Sequence, residues 1–190
     1  MTSHHPPHLF ADQSRYFITA STYESLPLFR MNQSKEILRE ALGSLSSELG
    51  IQLSAWVILD NHYHLLLYVD LGETLKTFIQ RLHGRTSFEI NKRAKKRGRQ
   101  VWHNYWDTLV ESEADYWTRF NYIHYNPVKH GCINKPEEWV YSSYCQWLKV
   151  KGEEWMEDVL KTYPILDFLQ EDSDYPAKAS TPIRNPESRV

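Results

Sequence analysis

Four side chains in two short segments carry the chemistry most worth testing in this sequence. His62 and His64 lie inside the apolar run 56–69, and Tyr122 and Asn126 lie in the segment 122–129, Tyr-Ile-His-Tyr-Asn-Pro-Val-Lys. On a strand, residues i and i+2 point to one face about 7 Å apart. Two imidazoles so placed can converge on a divalent cation, although a hydrogen-bonded histidine pair fits the same spacing. On a helix, i and i+4 share a face, which aligns Tyr122 with Asn126. A tyrosine oxygen can join a phosphate covalently, and the Asn126 carbonyl oxygen can add a hard ligand beside two imidazoles. In the plainer reading, Tyr122 packs on a sheet and Asn126 caps its helix. The residue before a proline disfavours the helical region, so Asn126 is expected at a kink or terminus.

The elements that must position these residues follow from periodicity. Residues 15–23 alternate and are rich in aromatic and β-branched side chains, a strand signature. Ile37, Leu38, Ala41, Leu42, Leu45 and Leu49 recur at helical spacing. They predict a helix over 32–49, capped by Asn32 or Ser34 and closed by Gly50. Strands are expected at 52–59 and 62–69, joined through the short link 59–61 as a hairpin. Leu65-Leu66-Leu67 is apolar on both faces, as in a central strand covered on both sides. A long helix is expected from Thr74 to about Arg97, weakened at Gly84 and ended by Gly98. A fourth strand is expected over 101–110, then a helix opened by the capping box of Ser112 and Asp115. The order is β-α-β-β-α-β plus a helix, so the expected class is α+β. The expected architecture is a ferredoxin-like βαββαβ antiparallel sheet with an added C-terminal helix that carries the candidate tyrosine. A connecting turn near 136–144 and short helices up to Leu169 complete the pattern.

The chain has 190 residues, 41% of them hydrophobic and 14% aromatic, enough for one sizeable core. The domain is expected over 15–150, after a mobile leader at 1–14. A C-terminal extension follows over 151–190, mobile from about residue 171. Net charge is −2, which excludes a uniformly basic nucleic-acid binder, but its distribution is uneven. No acid occurs from Asn91 to Trp106, whereas Glu153, Glu154, Glu157, Asp158, Glu171, Asp172 and Asp174 crowd the C-terminal part. The pattern suggests a basic face for an anion and an acidic tail, although a solvated charged helix end fits it equally. Cys132 and Cys145 have no ligand-like or disulfide-framework spacing. There is no apolar signal region or membrane-spanning stretch. A reduced cytoplasmic protein is expected.

Several blocks, taken in order, resemble the REP-associated tyrosine transposases of the single-tyrosine HUH superfamily. They are Ala55-Trp56-Val57-Ile58-Leu59 with Asn61-His62-Tyr63-His64, then Val101-Trp102-His103 with Tyr105-Trp106-Asp107. The longest runs from Tyr122 to Gly131 and continues into Trp139 and Tyr141-Ser142-Ser143-Tyr144. The resemblance implies that His62 and His64 bind a divalent metal, Mg or Mn, with Asn126 as third ligand, and that Tyr122 is the nucleophile. Tyr125, about 300° round the helix from Tyr122, ranks second. The implied activity is cleavage and rejoining of single-stranded DNA hairpins through a 5′-phosphotyrosine, by a monomer or homodimer with no membrane partner. Arg81, Arg85, Lys92, Arg93, Lys96, Arg97, Arg99 and Lys129 are the candidates for DNA backbone contacts. His124 and His130 read as structural or surface residues ahead of a part in proton transfer, and Trp102, Tyr105 and Trp106 as core ahead of base stacking.

Three other classes compete. A catalytically silent hairpin-binding protein would keep the fold without needing the His pair and the Tyr-Asn pair. A ferredoxin-like RNA-binding module should display stacking motifs that are not visible here. A zinc hydrolase should carry an acidic third ligand or base beside the histidines.

Overall fold

The computed structural model describes residues 10–166. Its sheet consists of β1 (Ser14–Thr22), β2 (Gln52–Ile58), β3 (His62–Val69) and β4 (Trp102–Leu109). The spatial order is β2-β3-β1-β4 and every pairing is antiparallel. Helices α1 (Asn32–Leu49) and α2 (Gly72–Ala94) join the strands, and α3 (Glu113–Lys129), α4 (Tyr144–Lys151) and α5 (Glu153–Thr162) follow. This is the expected split βαβ topology.

The sheet is buried on both faces, which accounts for the unbroken Leu65-Leu66-Leu67 run. Ile18, Trp56, Tyr63, Leu65 and Leu67 face α1 and α2, where Leu38, Leu42, Phe78 and Leu82 meet them. Phe17, Ala55, Val57 and Leu66 face the opposite way and pack with Phe120, Tyr122 and Ile123 of α3. Strand alternation therefore sends His62 and His64 to the α3 side and Tyr63 to the other.

Helix ends differ in part from the sequence expectation. α1 begins after Met31 without a side-chain cap, while Gly50 closes it in the left-handed region at φ 68° as expected. α2 starts at Gly72, two residues before Thr74, and the chain at Phe10 crosses it there. A Cβ at Gly72 would lie 2.4 Å from the carbonyl of Phe10. The helix stops at Ala94, with Lys95 rather than Gly98 taking the left-handed cap. The Asn91 side chain grips the following turn at both ends, donating from Nδ2 to the Arg99 carbonyl at 2.6 Å and accepting from Arg99 Nε at 3.0 Å. That bracket fixes the stop before Gly98 is reached. Ser112 caps α3 as expected, its hydroxyl accepting from the Asp115 amide at 3.1 Å.

The chain is anchored from Phe10 onward, earlier than the sequence boundary at residue 15. Gly72 donates its amide to Asp12 Oδ1 at 2.8 Å, and Gln13 donates to the Asp70 carbonyl at 2.9 Å. The segment expected as a connecting turn instead covers the β2 edge. Ile58 N bonds the Tyr141 carbonyl at 2.9 Å and Ser143 N the Trp56 carbonyl at 3.0 Å. The expected acidic tail beyond residue 171 and the end of the short helices at Leu169 lie outside the described residues. No helix among the described residues is long and apolar enough to cross a membrane.

Candidate active site

β3 and α3 bring together the two segments that opened the sequence analysis. His62 Nε2 lies 3.1 Å from Asn126 Oδ1, and Asn126 Nδ2 lies 3.3 Å from His64 Nε2. The imidazole centroids are 5.1 Å apart. All three side chains are buried. Asn126 stays within the helix; α3 runs through Pro127 to Lys129 and is capped at His130. Pro127 falls in the last turn, where its missing N–H costs a single intrahelical bond. The expected kink or terminus at Asn126 is not needed.

Each imidazole is oriented from behind. His64 Nδ1 lies 2.8 Å from Thr19 Oγ1, its cross-strand neighbour on β1. Phe17 stacks on the same ring at 5.5 Å. His62 Nδ1 lies 2.8 Å from Asn61 Oδ1. The Asn61 amide donates Nδ2 to the Ser25 carbonyl at 3.3 Å, which sets its oxygen towards the ring. In neutral His62 the proton is then on Nδ1, and the Nε2 lone pair faces Asn126. Burial, aided by the charges of His62, His130 and Lys129, holds His64 well below the usual histidine range. His64 is therefore a neutral imidazole with a lone pair to give.

This donor set fits a divalent cation. His62 Nε2 and the Asn126 carbonyl oxygen lie 3.1 Å apart; in neutral, Nδ1-protonated His62 that contact sets acceptor against acceptor, whereas the imidazolium donates to both Asn61 and Asn126. A cation between them would turn that opposition into coordination by two nitrogens and one hard oxygen. Among the described residues no group of three or more His, Cys, Asp or Glu could hold a metal. An amide oxygen as third donor would distinguish such a site from acidic or thiolate centres.

Tyr122 adjoins this set, with its ring edge-on to His64 at 5.3 Å and to Phe17 at 6.0 Å. Lys129 Nζ stands 4.9 Å from the Tyr122 ring centroid. Tyr122, Tyr125, Lys129 and Ile165 line a cavity of about 220 Å³, although Tyr122 itself is only 1% exposed. Tyr125 meets Tyr144 instead, at 6.2 Å. Burial raises its phenol above the ordinary tyrosine value, and the hydrogen bond with Tyr144 only partly offsets this.

The remaining histidines divide. His130 lies at the rim, its ring 5.1 Å from that of His62. His124 is a structural bolt; its Nε2 pairs with Ser143 Oγ at 2.8 Å and burial takes it down to about 3. Trp102 is core, stacked on Phe29 at 4.9 Å and His83 at 4.5 Å.

Of the cations singled out for DNA, only Lys129 adjoins the histidines. Arg81, Arg85, Lys92 and Arg93 belong to α2, and Lys96, Arg97 and Arg99 to the turn after it, on the other layer of the sheet. Arg81 is engaged by Glu48 at 2.7 and 2.8 Å, Arg85 by Ser44 at 2.9 Å and Arg99 by Asn91. Sequence reasoning did not find Asn61 or Thr19. Asn61 precedes His62 directly and could have been suspected, whereas Thr19 becomes visible only through the β1–β3 register.

The sequence pattern of the IS200-like transposases matches residues 12–126. A Haemophilus influenzae protein, provisionally named as a REP-associated tyrosine transposase, is 28% identical over 159 residues, 78% of this chain and 89% of that one. The REP-associated tyrosine transposase of Escherichia coli is 24% identical over 143 residues, 70% and 82% of the two chains. The solved structure of a REP-associated tyrosine transposase bound to a REP hairpin superposes with a TM-score of 0.63 over 98% of both chains. Its identity is 17%, so that likeness bears on the fold.

Proposed function

The chain belongs to the IS200-like transposase family, and from that premise we propose that it is a metal-dependent endonuclease and strand transferase. Its substrate would be single-stranded DNA folded into palindromic hairpins, and its intermediate a 5′-phosphotyrosine. The observation that carries this reading is the convergence of His62 Nε2 and His64 Nε2 on the Asn126 carboxamide, one ring away from Tyr122. The hairpin is suggested by the similarly folded transposase solved with a REP hairpin.

His62, His64 and Asn126 would hold the cation, Mg²⁺ or Mn²⁺. When bound it supplies Lewis-acid polarisation of a phosphate oxygen. Thr19 and Asn61 keep the two rings in the ligating tautomer and orientation. The Tyr122 oxygen gives up its proton to solvent and forms a bond to phosphorus in line with the 3′ oxygen, that P–O bond breaks, and the leaving oxygen takes a proton from solvent to become a free 3′-OH. The new ester keeps the bond energy of the phosphodiester, so the reverse step rejoins strands without ATP. Lys129 places positive charge beside the phenol, where it stabilises charge developing on either oxygen.

A second reading is favoured by one observation. Tyr122 is 1% exposed, as a packed tyrosine would be in a silent hairpin-binding protein. Labelled hairpins incubated with Mg²⁺ or Mn²⁺ separate the two. The enzyme gives a cut strand and a free 3′-OH that EDTA abolishes. Tight binding without any cut under both metals would support the silent binder.

A further inference from the structure

Five cations without an ion pair among the described residues follow one another at a single place away from the histidines. Arg81, Arg119 and Lys35 each face a carboxylate within 2.7 Å. Lys92, Arg93, Lys95, Lys96 and Arg97 are exposed, and none of them forms an ion pair among the described residues. Lys92, Lys95 and Arg97 share a cavity with Phe88, a large aromatic that is 65% exposed on α2. Lys92 Nζ stands 5.8 Å from its ring centroid. Phe88, Asn91, Lys92, Lys95 and Arg97 line an open cavity of about 680 Å³, in the range of small-ligand sites.

Cations at a helix C-terminus also complement the macrodipole, and Lys92 and Arg93 serve that end of α2. The dipole offers only about half a negative charge, so it leaves most of this positive charge uncompensated. Nor does it account for an exposed phenyl ring, whose contact with water is unfavourable. An exposed ring that shares a cavity with three cations matches one ligand chemistry well, a nucleobase flanked by phosphates.

The topology adds a direction. Val101 bonds Tyr23 N and Asn61 bonds Thr22 N, each at 2.8 Å, so the turn after α2 lies at the same end of the sheet as His62. Cavity and histidines occupy opposite faces of that one end. A strand passing over it could meet both.

We propose that Phe88 with Lys92, Lys95 and Arg97 forms a second nucleic-acid site, which holds one unpaired base and its flanking phosphates in a single-stranded stretch next to the hairpin. This rests on the proposed DNA-processing role and adds where the flanking strand is gripped. A blunt duplex buries its base faces and can use only the cations.

Fluorescein-labelled oligo(dT) of about 12 nucleotides, a length suited to such grooves, and a blunt duplex of equal length are titrated by anisotropy. The protein is the full chain with Tyr122→Phe, which leaves Phe88 untouched. Binding is thus read without cleavage, and failure of the cleavage reading would not be mistaken for failure of this one. Adding Phe88→Ala should weaken oligo(dT) binding by roughly tenfold, the loss of one stacked base, and leave duplex binding within twofold. Lys92→Gln with Arg97→Gln should weaken both probes and lower the salt slope for oligo(dT) by about 0.7 per cation. Thermal melting checks that each variant is folded. An unchanged oligo(dT) affinity in Phe88→Ala, or an equal loss for both probes, would overturn the proposal.

Discussion

Asn61 offers the shorter of the two oxygen contacts to the His62 ring and so favours the proton on Nδ1 when the ring is neutral. Its Oδ1 lies 2.8 Å from His62 Nδ1 and its Nδ2 gives a hydrogen bond to the Ser25 carbonyl, so the amide cannot flip without losing that bond. The turn residue next to the histidine thereby aims the Nε2 lone pair at Asn126.

If this is how the site is prepared, Asn61→Ala should weaken Mn²⁺ binding about 10- to 100-fold, as for other residues that orient metal-bound histidines. Asn61→Asp keeps an acceptor for Nδ1–H and should retain most of the affinity. Isothermal titration of the three proteins checks this. Equal affinity in Asn61→Ala would mean that the ring needs no such support.

The same turn is braced by charge. Lys35 is 2% exposed, pairs with Asp60 at 2.6 Å and lies over the rings of Trp139 and Tyr141. Asp60 is more accessible, with 27% of its side chain exposed. Removing the carboxylate leaves a buried ammonium without its counter-charge, held only by the Arg30 carbonyl at 3.2 Å and the two ring faces, whereas removing the ammonium leaves an acid that water and Arg30 can serve. Asp60→Ala should therefore cost about 3–5 kcal/mol and Lys35→Met clearly less. Urea unfolding gives both values, and the reverse order would contradict the assignment.

His83 predicts an acid limb in stability. Burial lowers its value from 6.5 to about 3, and its Nε2 pairs with the Tyr63 hydroxyl at 2.8 Å. The folded state keeps the ring neutral while the unfolded chain protonates it below 6.5. Stability is thus full above pH 6.5 and is lost as pH falls towards 3, with a limiting slope of about 1.4 kcal/mol per pH unit. His83→Gln should make the decline between pH 6.5 and 4 measurably shallower in denaturant titrations; an unchanged limb would assign the loss elsewhere.

Much of this was legible in the residues because it depends on local spacing. The period-2 and period-3.6 patterns gave the order of elements, and the HxH and Tyr-Asn spacings predicted which side chains share a face. What remained hidden depended on contacts between distant segments. Thr19 reaches His64 through strand register, Ser142 and Ser143 cover the β2 edge, and Asn91 ends α2 by gripping Arg99. Gly98 looked like the natural helix stop because glycine favours that conformation, but a side-chain bracket intervened. The basic run was visible as a run, yet its placement on the layer opposite the histidines required the fold.

The most direct test of the central claim is to map the covalent bond. A hairpin substrate is trapped on the protein in Mn²⁺, the complex is digested, and the nucleotide-bearing peptide is sequenced by mass spectrometry. We expect the modification on Tyr122, lost in Tyr122→Phe and in His64→Ala but kept in Tyr125→Phe. A modification on Tyr125, or one that persists in Tyr122→Phe, would contradict the account.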